Sequence, residues 1–143
     1  MRRWLPSAAA AGLTVAVAAV VLGFAIEAFA HHSTSYYSKD QKDFLKIQAK
    51  VVRWEFRSPH SQLYVETPDK DGKLVVWRFE TTPAAWLLRE GFKKDSIAIG
   101  DMVTVEGFPI PGTLYAWLGM VTKQDGTRLR PQRSSATPEW WNP

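Results

Sequence analysis

From Leu45 the chain alternates: Leu45, Ile47, Ala49 and Val51 fall on one side and Lys46, Gln48 and Lys50 on the other, the period of a half-buried strand. The phase then slips. Val52, Trp54 and Phe56 carry the apolar face while Arg53 and Glu55 are polar, which predicts one long strand bent by a bulge near Val51 and Val52. Arg57-Ser58-Pro59-His60 ends it, because proline cannot donate to a ladder. A second strand is predicted from Ser61 to Thr67. Pro68 to Gly72 is turn chemistry leading into a third strand, Lys73 to Glu80, paired with the second as a hairpin. Thr82 is the expected N-cap of a short helix, with Pro83 at its first position, Ala84 to Glu90 as its body and Gly91 as its left-handed stop. Gly100-Asp101 turns into a fourth strand, Met102 to Phe108, and Pro109 to Gly112 turns into a fifth, Leu114 to Thr122.

Three strands, a helix and two strands, with a long bent first strand, is the chain order of an OB-fold. The expected class is therefore all-β: a small OB-like five-stranded barrel over residues 44–125, with one short helix between strands three and four. An open β-sandwich of the same elements is the alternative. Residues 31–43 contain Tyr36 and Tyr37 but show no period, and are expected to form an extended arm. Residues 126–143, with Pro131, Pro138 and Pro143, are expected to be a flexible tail.

Ahead of the arm the pattern changes character. Arg2 and Arg3 precede an uncharged apolar run from Ala8 to Ile26, and Ala28-Phe29-Ala30 supplies the small-x-small triplet of a signal-peptidase site. Residues 1–30 read as a cleaved export signal, giving a periplasmic or secreted protein that begins His31-His32-Ser33. The alternative is a retained membrane anchor through residues 8–26, since that run is long enough to cross a bilayer. The membrane is expected to be met only through this segment, and only if it stays uncleaved.

Composition narrows the function classes. The 143 residues are 45% hydrophobic and 22% charged, as in ordinary folded proteins, and the part after the signal is too short for a barrel enzyme or a two-domain nucleotide enzyme. Removing Arg2, Arg3 and Glu27 reduces 18 basic and 14 acidic residues to 16 and 13. So small a surplus, with export, argues against a nucleic-acid partner. There is no cysteine, hence no disulfide, thiolate nucleophile or thiolate metal site; any metal must be held by nitrogen or oxygen.

The nitrogen donors are few and clustered in sequence. Of three histidines, His31 and His32 would open the mature chain and His60 lies in the loop between the first two strands. An amino-terminal histidine can chelate one ion through its free amine and its own Nδ1, and both groups lose their protons to a metal near neutral pH. One or two further imidazoles complete a three- or four-nitrogen set that suits tetragonal copper(II). His31, His32 and His60 are thus the expected metal ligands, with copper the expected ion. On the other reading the first two are solvated and His60 is a hydrogen-bonding turn residue.

Catalysis is not expected. Glu55, Glu66, Glu80 and Glu106 are spread over different strands, Ser58 and Ser61 merely flank His60, and the glycines occur singly in turns, without a phosphate loop. Most aromatics belong to the core, but Tyr64, Trp77 and Phe79 could line the strand-two and strand-three face on which OB-folds take ligands. Trp140 and Trp141 could meet a membrane surface or partner. The competing function is therefore a ligand- or protein-interaction module of the cell envelope that uses no metal.

Several motifs carry a family resemblance. Ala30-His31-His32-Ser33, Val52-Arg53-Trp54-Glu55 leading to Ser58-Pro59-His60, Asp71-Gly72-Lys73 before Trp77 and Phe79-Glu80 are the first. Pro83, Leu88-Arg89-Glu90-Gly91-Phe92, Asp95-Ser96 and Gly100-Asp101 through Gly107 continue it. Over about residues 31–125 the chain resembles the small exported bacterial proteins grouped as domain of unknown function 6152. The resemblance implies export and no particular activity, and it includes His31, His32 and His60 in its pattern. Ser58 stands where that family usually has asparagine.

Overall fold

The computed structural model describes residues 34–143; the expected signal, the alternative anchor 8–26 and the expected ligands His31 and His32 lie outside the described residues. Among the described residues five strands and one helix follow the predicted order, β1 (Leu45–Glu55), β2 (Gln62–Pro68), β3 (Leu74–Glu80), α1 (Ala84–Arg89), β4 (Met102–Pro109) and β5 (Tyr115–Lys123), and a short β6 (Arg128–Leu129) that was not expected comes after them. Five of the strands close a barrel. β1 pairs antiparallel with β4 through its first half and with β2 through its second, β2 and β3 form the hairpin, and β4 pairs antiparallel with β5. The parallel pairing of Arg78-Phe79-Glu80 with Tyr115-Ala116-Trp117 then joins β3 to β5, the closure of an OB-like barrel.

The bend in β1 is where the phase slip places it. Its register against β2 shifts between Val51 and Arg53, leaving Val52 as the extra residue. The neighbouring turn stabilises the bend, for Val51 N donates to Asp101 O at 2.8 Å and Gly100 N donates to Val51 O at 2.8 Å. Val51, Leu63, Val65, Phe79, Val105, Leu118 and Val121 fill the barrel, and Leu87 of α1 with Phe92 covers one end. The helix begins one residue later than expected. Pro83, with φ −55° and ψ 150°, is the N-cap without a side-chain cap bond, and Ala84 N donates to Arg57 O instead. Gly91, at φ 86°, stops the helix as predicted.

The two ends of the described chain differ from expectation. Residues 34–43 do not run as an extended arm: a turn places Tyr37 N on Thr34 O, Ser38 N donates to Pro109 O, and Gln41–Asp43 form a 3-10 turn capped by Asp40. Residues 126–143, expected to be flexible, pack on the barrel with Ala136 and Trp141 buried. Arg133 donates to the carbonyls of Pro138 and Trp141, and Trp140 Nε1 donates to Lys39 O at 2.7 Å. The physical cause is a second apolar cluster outside the barrel, where Phe108, Trp117 and Met120 gather Tyr37 from the arm and Ala136 and Trp141 from the tail.

Candidate metal-binding site

His60 stands in a loop tied down at both sides. The Ser61 hydroxyl donates to Arg57 O at 3.0 Å and accepts from Arg57 N at 3.2 Å, closing the turn around Ser58-Pro59-His60 on itself. Ser61 N donates to Thr82 O and Thr81 N donates to Ser61 O, so the loop is also laced to the chain leaving β3. Ser61, fully buried, thus holds the loop backbone and does not hydrogen-bond the imidazole.

The imidazole is oriented by two acceptors. His60 Nδ1 lies 3.0 Å from Glu80 Oε1 and 3.2 Å from Thr81 O. A carbonyl oxygen only accepts, so Nδ1 carries the hydrogen and, in the neutral ring, Nε2 keeps its lone pair. Nε2 has no hydrogen-bond partner among the described residues, and the side chain is 26% exposed. The ring edge packs against Trp117, with centroids 6.2 Å apart. Trp117 Nε1, Thr81 Oγ1 and Thr82 Oγ1 are buried without partners among the described residues.

Glu80 reaches this loop because of hairpin register. Gln62, the first residue of β2, lies opposite Glu80, the last of β3, two residues after His60. The second carboxylate oxygen, Oε2, accepts from the Tyr37 hydroxyl at 2.8 Å. Burial pushes the Tyr37 phenol above the usual tyrosine range, and the hydrogen bond to Glu80 and its charge push it further, with Arg78 pulling weakly the other way.

The other candidates separate. Among the described residues no group of three histidine, cysteine or acidic side chains gathers to hold a metal; His60 has Glu80 alone. Glu55 pairs with Arg53 and Arg57, and Glu106 with Lys46. The three aromatics expected on one ligand face do not share it. Trp77 packs inward with the fully buried Phe79, whereas Tyr64 pairs with Arg78 on the outer face and lies under the Arg53 guanidinium. Strand alternation is the reason, since residues one apart in register point to opposite faces.

The model of the Family of unknown function (DUF6152) matches residues 18–114 of the sequence, a span that includes both His31-His32 and the His60 loop. The chain belongs to the DUF6152 family. Within the matched span lie the residues that build the His60 site, namely Tyr37, Ser61, Glu80 and Thr81, whereas Trp117 and the packed tail fall beyond it. Neither a curated protein nor a solved structure matches the chain.

Tyr37 and Glu80 are the site residues that sequence reasoning missed. Glu80 was legible from the hairpin, because pairing β2 with β3 brings the end of one beside the start of the other. Tyr37 carried no comparable signal.

Proposed function

We propose that the chain is an exported, non-catalytic copper(II)-binding module. Removal of residues 1–30 leaves His31 at the terminus, where its amine and Nδ1 chelate the ion. His60 contributes Nε2, and His32 supplies a further imidazole. The observation that carries this reading is the hydrogen bonding of His60. In metal sites the ring nitrogen opposite the metal is characteristically held by a carboxylate or a backbone carbonyl, which fixes the ring and raises its basicity. His60 Nδ1 has one of each, and Nε2 faces no competing donor among the described residues.

The test is a calorimetric titration of the secreted, tag-free protein with copper(II), since an amino-terminal tag would occupy the amine. The wild type binds one ion at least about tenfold more tightly than His60→Ala on this reading. Equal affinities contradict it.

A metal-free interaction barrel is the second reading, favoured by the exposure of Leu74, Val76 and Tyr115 on the β3–β5 side. It predicts that copper binding is weak and indifferent to His60.

A further inference from the structure

Tyr37 and His60 share two neighbours. Their polar groups take the two oxygens of one carboxylate, the Tyr37 hydroxyl at Glu80 Oε2 (2.8 Å) and His60 Nδ1 at Glu80 Oε1 (3.0 Å). Their rings both meet Trp117 edge to face, at 5.6 Å and 6.2 Å between centroids. Tyr37 is itself buried, so its hydroxyl has a fixed place from which to hold the carboxylate. A glutamate is free to rotate about its last torsion unless both oxygens are engaged. With the phenol on Oε2, Oε1 is left pointing at the imidazole.

We propose that Tyr37 is a positioning residue of the copper site, acting through Glu80 to hold the His60 imidazole with Nε2 presented to the metal; this rests on the copper reading above. One side chain thus both packs on the barrel through Trp117 and, through Glu80, sets the orientation of the loop ligand. Ser38 N on Pro109 O and Trp140 Nε1 on Lys39 O fix the backbone independently. The hydroxyl can therefore be removed with the segment still docked and the ring still packed on Trp117.

The experiment is a double-mutant cycle in copper(II) affinity, measured on the secreted, tag-free chain as wild type, Tyr37→Phe, His60→Ala and the double variant. Loss of an orienting partner of a metal-bound histidine weakens binding about 10–100-fold, and Tyr37→Phe is expected at the lower end. Because Tyr37 acts through His60, the double variant binds no more weakly than His60→Ala alone, and thermal midpoints of Tyr37→Phe and wild type stay close. Full additivity of the two losses, or unchanged affinity in Tyr37→Phe, overturns the positioning role while leaving the copper reading standing. If His60→Ala itself binds as the wild type does, the copper reading falls and this inference with it. Glu80→Gln provides the same test from the other side of the bond: it weakens copper binding, and Tyr37→Phe adds nothing to it. An additive loss on that background also overturns the inference.

Discussion

Gly119 makes room for Trp141: a Cβ on Gly119 would stand 3.1 Å from Cζ2 of the indole and 3.2 Å from Cη2. The glycine is the extra residue of β5 where its register against β4 shifts between Glu106 and Gly107. The bulge thus makes a seat for the tail, and the Arg130 guanidinium lies over the same indole, 5.3 Å from its ring centroid. Phe108 meets the same ring edge to face at 5.4 Å.

Trp141→Ala is accordingly expected to destabilise the protein by about 3 kcal/mol, the cost of emptying a buried aromatic seat. Urea denaturation followed by far-ultraviolet circular dichroism checks the magnitude. Limited trypsin proteolysis checks the place, with new cleavage expected after Arg128 and Arg133. Unchanged stability and an uncut tail would show that Trp141 holds nothing down.

Gly107 faces a harder constraint. A Cβ there would lie 2.6 Å from the Trp117 carbonyl oxygen and 2.7 Å from the Phe79 ring, inside the contact limit of backbone as well as side chain. Gly107→Ala is expected to cost about 3 kcal/mol or more, whereas Gly119→Ala, whose Cβ would stand no nearer than 3.1 Å to the Trp141 edge and 3.2 Å to the Glu106 carbonyl oxygen, costs about 1–2 kcal/mol. Parallel thermal unfolding of the two variants gives the order; the reverse order contradicts the packing.

How much of this was legible beforehand depends on whether a residue's partner is set by local periodicity. The bulge near Val52, the β2–β3 hairpin, the helix stop at Gly91 and the closed barrel follow from alternation and turn chemistry, because β1 to β3 carried an apolar face to bury and the turns between elements had their own residues. The packed ends were not expected, since Tyr37, Ala136 and Trp141 stand in aperiodic segments. Yet β5 carried a sign of them. Ala116 to Val121 is an unbroken apolar run, and a strand buried on both faces needs a cover on its outer side. Of the candidate site, His60 was singled out from its loop; Glu80 was missed although the hairpin register that places it was predicted, and Tyr37 required the fold.

The Tyr37 phenol gives a pH prediction. Its pKa is raised in the folded protein by burial first, then by Glu80, against a weaker opposing effect of Arg78, with the His60 and Trp117 rings completing its surroundings. A raised folded pKa means that its contribution to stability is complete below the ordinary tyrosine pKa and is lost as pH climbs from there toward the folded value. Titration followed by tyrosinate absorbance should therefore show a late ionisation step, and Tyr37→Phe should remove it. Stability should fall with rising alkalinity more steeply in the wild type than in Tyr37→Phe. An alkaline titration in which Tyr37→Phe removes no late step would contradict the buried hydrogen bond.

The central claim is that a freed terminal histidine and the loop histidine share one copper ion. Pulsed electron paramagnetic resonance on the copper(II)-loaded, secreted chain tests it most directly, because the remote nitrogen of each bound imidazole modulates the echo separately. With selective isotope labelling of histidine nitrogen, the wild type should show at least two coordinated imidazoles, one of which vanishes in His60→Ala. A modulation pattern identical in the two proteins would contradict the account.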